Sequence, residues 1–155
     1  MNKAFIFDLD GVIIDDEKIW EEEKKVFYPE LLGEEVFLKL GSTIGLRLDE
    51  IYKRAIDCGS TISKKDFFES FYKRAVNIYQ TAPITSGLQN LVEKLVKLDY
   101  KIGIVSSSST EWINLVLKRT PYLEKNLFVI VSLLDRPELK SKPEPDGYFE
   151  AIKEL

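Results

Sequence analysis

"FDLDGVIID", Phe7 to Asp15, closes an apolar run with Asp8 and Asp10 on either side of one leucine, followed by Gly11. Two close carboxylates repel each other, so the pair is costly unless it shares a proton or a cation. A lone D-x-D is most simply an acidic turn that starts a helix. Here the pair follows "KAFIF", Lys3 to Phe7, a short continuous apolar run with the pattern of a strand covered on both faces. That placement, with Gly11 after the pair, weakens the solvated-turn reading. A hard cation such as Mg²⁺ takes oxygen ligands and often completes its shell with water and a substrate phosphate. An aspartate can attack phosphorus as a nucleophile. A neighbouring carboxyl can give a proton to the leaving group and later activate water.

Two later stretches resemble the first strand: "KIGIVS", Lys101 to Ser106, and "LFVIVS", Leu127 to Ser132. Each follows a helical stretch, the order expected of parallel strands joined by crossover helices. Between the first two strands lie helical patterns at Asp16 to Tyr28 (ended by "YPE"), Glu35 to Leu40, Leu46 to Cys58 and Lys64 to Tyr79. In the last of these, Phe67, Phe68, Phe71, Tyr72 and Ala75 recur at helical spacing and read as a packed core. "TAPITSG", Thr81 to Gly87, is the clearest linker, and Ser86 with Gln89 forms a capping box for Leu88 to Leu98. The expected domains are therefore an α/β core at 1–15 and 82–155 with a helical insert at 16–81.

In parallel sheets, ligands bind at the carboxyl ends of strands. That rule gathers Asp8 and Asp10, the serine run Ser106 to Thr110, and Ser132, Asp135 and "KSKPEP" onto one edge. Ser108 with Glu111 reads as a capping box for the next helix, whose free N–H groups favour an anion, phosphate above all. Pro143 and Pro145 stiffen the segment that carries Lys142.

Composition sets limits. The sequence has 155 residues and a net charge of −4, so nothing points to nucleic acid or an anionic membrane as partner. No apolar run approaches the ~20 residues of a membrane span. The start "MNKAFIFDLD" is too short and too acidic for a signal peptide. The single Cys58, read as a small buried residue, cannot form an internal disulfide and suits a reducing, cytoplasmic setting. With no histidine, Ser-His-Asp and Cys-His catalysis and the usual zinc sites are excluded.

"FDLDGVIID", the strand ending in Ser106 and "KPEPDGY" stand in the order of three motifs of the haloacid-dehalogenase-like hydrolases. The chain resembles the members of that superfamily with a helical cap after the first strand, similar to β-phosphoglucomutase and phosphoglycolate phosphatase. The resemblance implies a Rossmann-like three-layer core with a parallel sheet and an inserted cap. It implies a phosphatase for a small phosphorylated metabolite, with Asp8 as nucleophile, Asp10 as general acid/base, and Ser106, Ser107 and Lys142 binding the phosphoryl group. Mg²⁺ would sit on the Asp8 carboxylate and the Asp10 backbone carbonyl. "LGSTIGLR", Leu40 to Arg47, falls at the specificity loop of related enzymes, where Arg47 would meet a substrate anion or form a surface ion pair. A sugar-phosphate mutase is the second implied activity, although Trp20 stands about where those mutases carry a histidine. The resemblance also implies a fourth, acidic motif on a further strand, and the core here is expected to lack its C-terminal strands. "AFIFD" would then be a sheet edge open to self-association or to a complementing chain. Three expectations follow: a truncated or split product, a chain completed by a partner, or a non-catalytic phosphate-binding protein.

Overall fold

The computed structural model describes residues 3–43 and 46–155. Eight helices and three strands are found among them: β1 Lys3–Phe7, α1 Glu17–Leu32, α2 Glu34–Leu40, α3 Leu48–Asp57, α4 Lys64–Thr81, α5 Leu88–Lys97, β2 Tyr100–Ser106, α6 Thr110–Leu117, α7 Pro121–Glu124, β3 Leu127–Ser132 and α8 Asp146–Glu154. The strands form a parallel sheet of order β1-β2-β3, an α/β fold. Phe7 pairs with Ile104, and Ser106 pairs with Ser132. The register therefore aligns the strand tips, which is what brings distant polar residues together. β1 lies at one edge of this sheet, and its first two residues are exposed.

The chain divides into two compact units, one built from residues up to Asp16 and from Tyr79 onward, the other from Glu17–Ile78. In the sheet unit, α8 seats on β2 and β3 through Val105, Val131, Leu133 and Ala151. Gly147 allows this approach, because a Cβ there would stand 2.9 Å from Val105 Cγ1 and 3.0 Å from a Leu133 methyl. In the helical unit, Phe67, Phe71 and Ala75 are buried along one face of α4, while Tyr72 is exposed and Phe68 half-buried. Trp20 stacks on Phe71 with centroids 5.1 Å apart, and Tyr52 meets Phe67 at 5.4 Å. Phe67, Phe71 and Ala75 pack as the core expected from their spacing, whereas Tyr72 does not and Phe68 does so only in part.

Several local expectations change. Helix α1 does not end at "YPE": Pro29 lies inside it, and the helix runs to Leu32, where Gly33 adopts φ 86°. The Pro29 carbonyl accepts from the Gly33 N–H at 2.9 Å, so the last turn is still closed. Proline's fixed φ is helical and its cost is a missing donor and crowding against the preceding turn, so the helix continues past Pro29 and ends at Gly33. The Ser86–Gln89 capping box does not form. Gly87, at φ 81°, precedes α5 with no side-chain cap, and Gln89 donates to Glu93 at 2.9 Å instead. The short helix α7 has no counterpart in the sequence reading. Cys58 is half-buried. No described helix is long and apolar enough to cross a membrane.

Candidate active site

Asp8 is the first residue past β1. The loop behind it is fixed by its own backbone: the N–H groups of Ile13 and Ile14 donate to the Leu9 carbonyl at 2.8 and 3.2 Å. Leu9, Ile13 and Ile14 are fully buried, so the apolar half of "FDLDGVIID" anchors the loop and leaves Asp8 and Asp10 half-exposed. Gly11 takes φ 70°, in the left-handed region. Its N–H donates to Asp16 Oδ1 at 2.9 Å. The Asp15 N–H donates to the Pro83 carbonyl at 2.9 Å, and the Thr85 N–H to that of Ile13 at 3.0 Å, so the "TAPIT" linker braces the loop.

The two aspartates have different surroundings. Asp8 Oδ2 lies 2.8 Å from the Lys142 ammonium, and Asp8 Oδ1 accepts from the Leu9 N–H at 2.8 Å. Lys142 also donates to the Val105 carbonyl at 3.0 Å and lies over the Tyr148 ring at 5.7 Å. Three contacts from separate elements thus aim this lysine at the strand tips. Asp10 is held by neutral hydroxyls. Tyr79 Oη donates to Asp10 Oδ1 at 2.7 Å, Ser108 Oγ to Oδ2 at 2.9 Å, and Ser106 Oγ lies 3.5 Å from Oδ2, a weak contact. Burial, and then the Asp10 charge, raise the Tyr79 phenol well above its usual 10.0, so it stays a donor.

Asp16 is a third carboxyl beside this pair and is fully buried. Burial first, and the Asp10 charge second, push it up to about 7. Ser106 is buried and Ser107 exposed. The serine run caps its helix one residue later than expected. Ser109 is the N-cap, accepting from the Trp112 N–H at 3.2 Å, and the Thr110 N–H donates to Asp135 Oδ2 at 2.7 Å. Ser108 is drawn away from capping by the stronger acceptor: its hydroxyl bonds a carboxylate, and its backbone N–H donates to Ser106 Oγ at 2.9 Å. The first N–H of α6 therefore already has a partner.

Arg47 belongs to the other unit, at the N-terminus of α3, where its Nε lies 3.4 Å from Asp49 Oδ1. Ile44 and Gly45 of the expected specificity loop lie outside the described residues. The sheet thus brings Asp8, Asp10, Ser106 and Lys142 together, with Ser107 beside them in sequence. Tyr79, Ser108 and Asp16 are the contacts to Asp10 and its loop that sequence spacing did not assign. Tyr79 sits among the aromatic positions of α4 and reads there as one more core residue.

Among curated proteins, the chain is 27% identical over 163 residues to YhcW of Bacillus subtilis (strain 168), covering all of this chain and 70% of that protein. It is 26% identical over 159 residues to Hexitol phosphatase B of Escherichia coli (strain K12), covering 98% of this chain and 69% of the relative. Among solved structures, CbbY from Rhodobacter sphaeroides in complex with phosphate shares the fold with a TM-score of 0.72. The identity there is 18%, with 100% of this chain and 73% of the other covered. The sequence profile described as "Haloacid dehalogenase-like hydrolase" matches residues 5–155, and the chain belongs to that family.

Proposed function

We propose that the chain is a phosphomonoester hydrolase that acts on a small phosphorylated metabolite through a phosphoaspartate on Asp8. The observation that carries this reading is the pairing of Asp8 with Lys142 at 2.8 Å on the tips of the parallel strands. A carboxylate beside a fixed ammonium is poised to meet a phosphoryl group, which needs positioning and charge neutralisation more than covalent help. Phosphatase relatives and the family match support the reaction class.

In this mechanism an Asp8 oxygen attacks phosphorus and the bond to the substrate alcohol breaks. Asp10 gives its proton to the departing oxygen, and Lys142 neutralises a phosphoryl oxygen. Ser106 and Ser107 offer hydroxyl and backbone donors at the tip of β2. Water then attacks the acyl phosphate, Asp10 takes its proton, and Asp8 is restored with release of phosphate. Asp8 and Asp10 present hard oxygen donors, the set that suits Mg²⁺, which uses one or two carboxylates and fills its shell with water and phosphate. The Asp8 carboxylate and the Asp10 backbone carbonyl would hold it, and when bound it would supply further charge neutralisation to the phosphoryl group. The helical insert takes the part of a substrate-selecting cap in this reading.

The test compares p-nitrophenyl phosphate hydrolysis, with Mg²⁺ and with EDTA, by the wild-type chain and by Asp8→Asn. We expect Mg²⁺-dependent turnover that falls about 10³-fold or more in the variant. Acid quenching should trap one phosphoryl group on the peptide containing Asp8. Equal rates for the two proteins would remove Asp8 as nucleophile.

A further inference from the structure

Two hydroxyls from distant parts of the chain close on the Asp10 carboxylate, one at each oxygen. Tyr79 Oη is 2.7 Å from Asp10 Oδ1, Ser108 Oγ is 2.9 Å from Oδ2, and the two hydroxyls are 2.7 Å from each other. Both hydroxyls belong to buried residues, Tyr79 at 2% exposure and Ser108 at 5%. Neither residue is free to turn away. The Tyr79 ring stacks on Trp112 with centroids 5.5 Å apart and planes 14° apart, and its backbone carbonyl accepts from the Arg119 guanidinium at 2.8 Å. Ser108 is held through its N–H by Ser106 Oγ and through its carbonyl by the Ser132 hydroxyl at 2.8 Å.

A lone aspartate side chain rotates about two bonds, and its carboxyl plane is soft. Two donors fixed in place, one on each oxygen, remove that freedom. Proton transfer needs this, because a general acid must lie within hydrogen-bond reach of the departing oxygen in a defined direction. A tyrosine that only needed a partner for its buried hydroxyl would find one in Ser108 alone. Each hydroxyl carries one proton, and Tyr79 directs its own at the residue read as the proton donor rather than at Ser108, which a packing role leaves unexplained.

We propose that Tyr79, working with Ser108, is a positioning residue that fixes the Asp10 carboxyl for proton transfer to the leaving group. The inference rests on the reading of Asp10 as that proton donor. In this proposal Tyr79 acts through Asp10 and not on the substrate.

The test uses leaving groups of opposite need. p-Nitrophenolate departs without a proton, whereas the alkoxide of glycerol 3-phosphate requires one. Values of kcat/KM report the step in which the alcohol leaves. Tyr79→Phe should lower kcat/KM for the alkyl phosphate about tenfold or more, a part of what general acid catalysis supplies, and change that for p-nitrophenyl phosphate less than about threefold. Asp10→Asn should show the same selectivity, larger. If Tyr79→Phe lowers both substrates alike, or neither, while Asp10→Asn discriminates, Tyr79 is structural and the proposal fails alone. If Asp10→Asn also treats both substrates alike, the proton-donor reading fails and takes the proposal with it. A double-mutant cycle in urea unfolding, Tyr79→Phe with Asp10→Ala, tests the contact independently of turnover. Non-additive shifts are expected, and strictly additive ones would overturn the proposal.

Discussion

The helical unit and the strand-tip site of the sheet unit hold their charges in different ways, although the sheet unit also carries local surface pairs at Arg136–Glu138 and Lys153–Glu150. In the helical unit most ion pairs are local and wet. Lys25–Glu21, Lys39–Glu35 and Lys65–Glu69 each sit one helical turn apart, with every side chain more than half exposed. Arg74, which bridges Glu23 and Glu30, is the long-range exception. In the sheet unit the contacts around Asp8 and Asp10 join residues far apart in the chain, at Lys142, Tyr79 and Ser108. Local pairs on a helix form wherever the helix forms and add little. A polar cluster drawn from distant segments exists only if the whole sheet register is correct, and it must offset the desolvation of every member. The helical unit is thus organised by its apolar side chains, and the sheet unit by apolar strands that end in a polar cluster.

The sharpest way to break that contrast is in the aromatic core. Phe67 is fully buried, so Phe67→Ala should cost about 3–5 kcal/mol, read as a lower urea midpoint. At the polar cluster the effect should fall on turnover. Lys142→Met keeps the stem and removes the ammonium 2.8 Å from Asp8, and we expect kcat/KM to fall about 10²-fold, with little change in the unfolding midpoint. A midpoint shift as large as that of Phe67→Ala would show Lys142 to be structural instead.

The third test is a pH titration of stability in EDTA. The Asp16 carboxyl is raised from 3.8 to about 7, so the folded protein binds this proton more tightly than the unfolded chain does. Its contribution is therefore full below about pH 4 and is lost as pH rises through about 7. Asp16→Asn should flatten this fall and raise stability at pH 8, by on the order of 2–4 kcal/mol. An unchanged pH slope would show that Asp16 ionises normally. The smallest effect belongs to the helical surface. Lys39→Ala removes an exposed pair with Glu35 and should leave the unfolding midpoint unmoved within error.

Much of this architecture is legible in one sequence, for physical reasons that also mark where legibility stops. The three apolar runs are readable because a strand in a parallel sheet has no solvent face to alternate with. Asp8 and Asp10 are readable because paired charge on the end of such a run is costly without a counter-charge. Lys142 is readable only through the rule that strand tips share an edge. Tyr79 is not readable, because its ring follows the same helical spacing as Phe71 and Ala75, and spacing carries no sign that a hydroxyl points at a carboxylate. Serine position is likewise ambiguous. Four consecutive serines offer several capping registers, and the choice of Ser109 follows from Ser108 being engaged by Asp10 and Ser106. Pro29 fails as a stop signal because one lost donor is less decisive than the glycine that follows four residues later.

The absence of histidine has one further consequence. No histidine is present to titrate near pH 7, whereas burial and the Asp10 charge push the Asp16 carboxyl up to about 7, where it exchanges a proton. The folded chain therefore has little buffering capacity of its own near neutrality. Ligand binding that alters the field around Asp10 should release or take up a fraction of a proton, seen as a binding enthalpy that changes with the ionisation heat of the buffer. In most proteins histidines blur that signal; here it would report on the neighbourhood of Asp10 without a label.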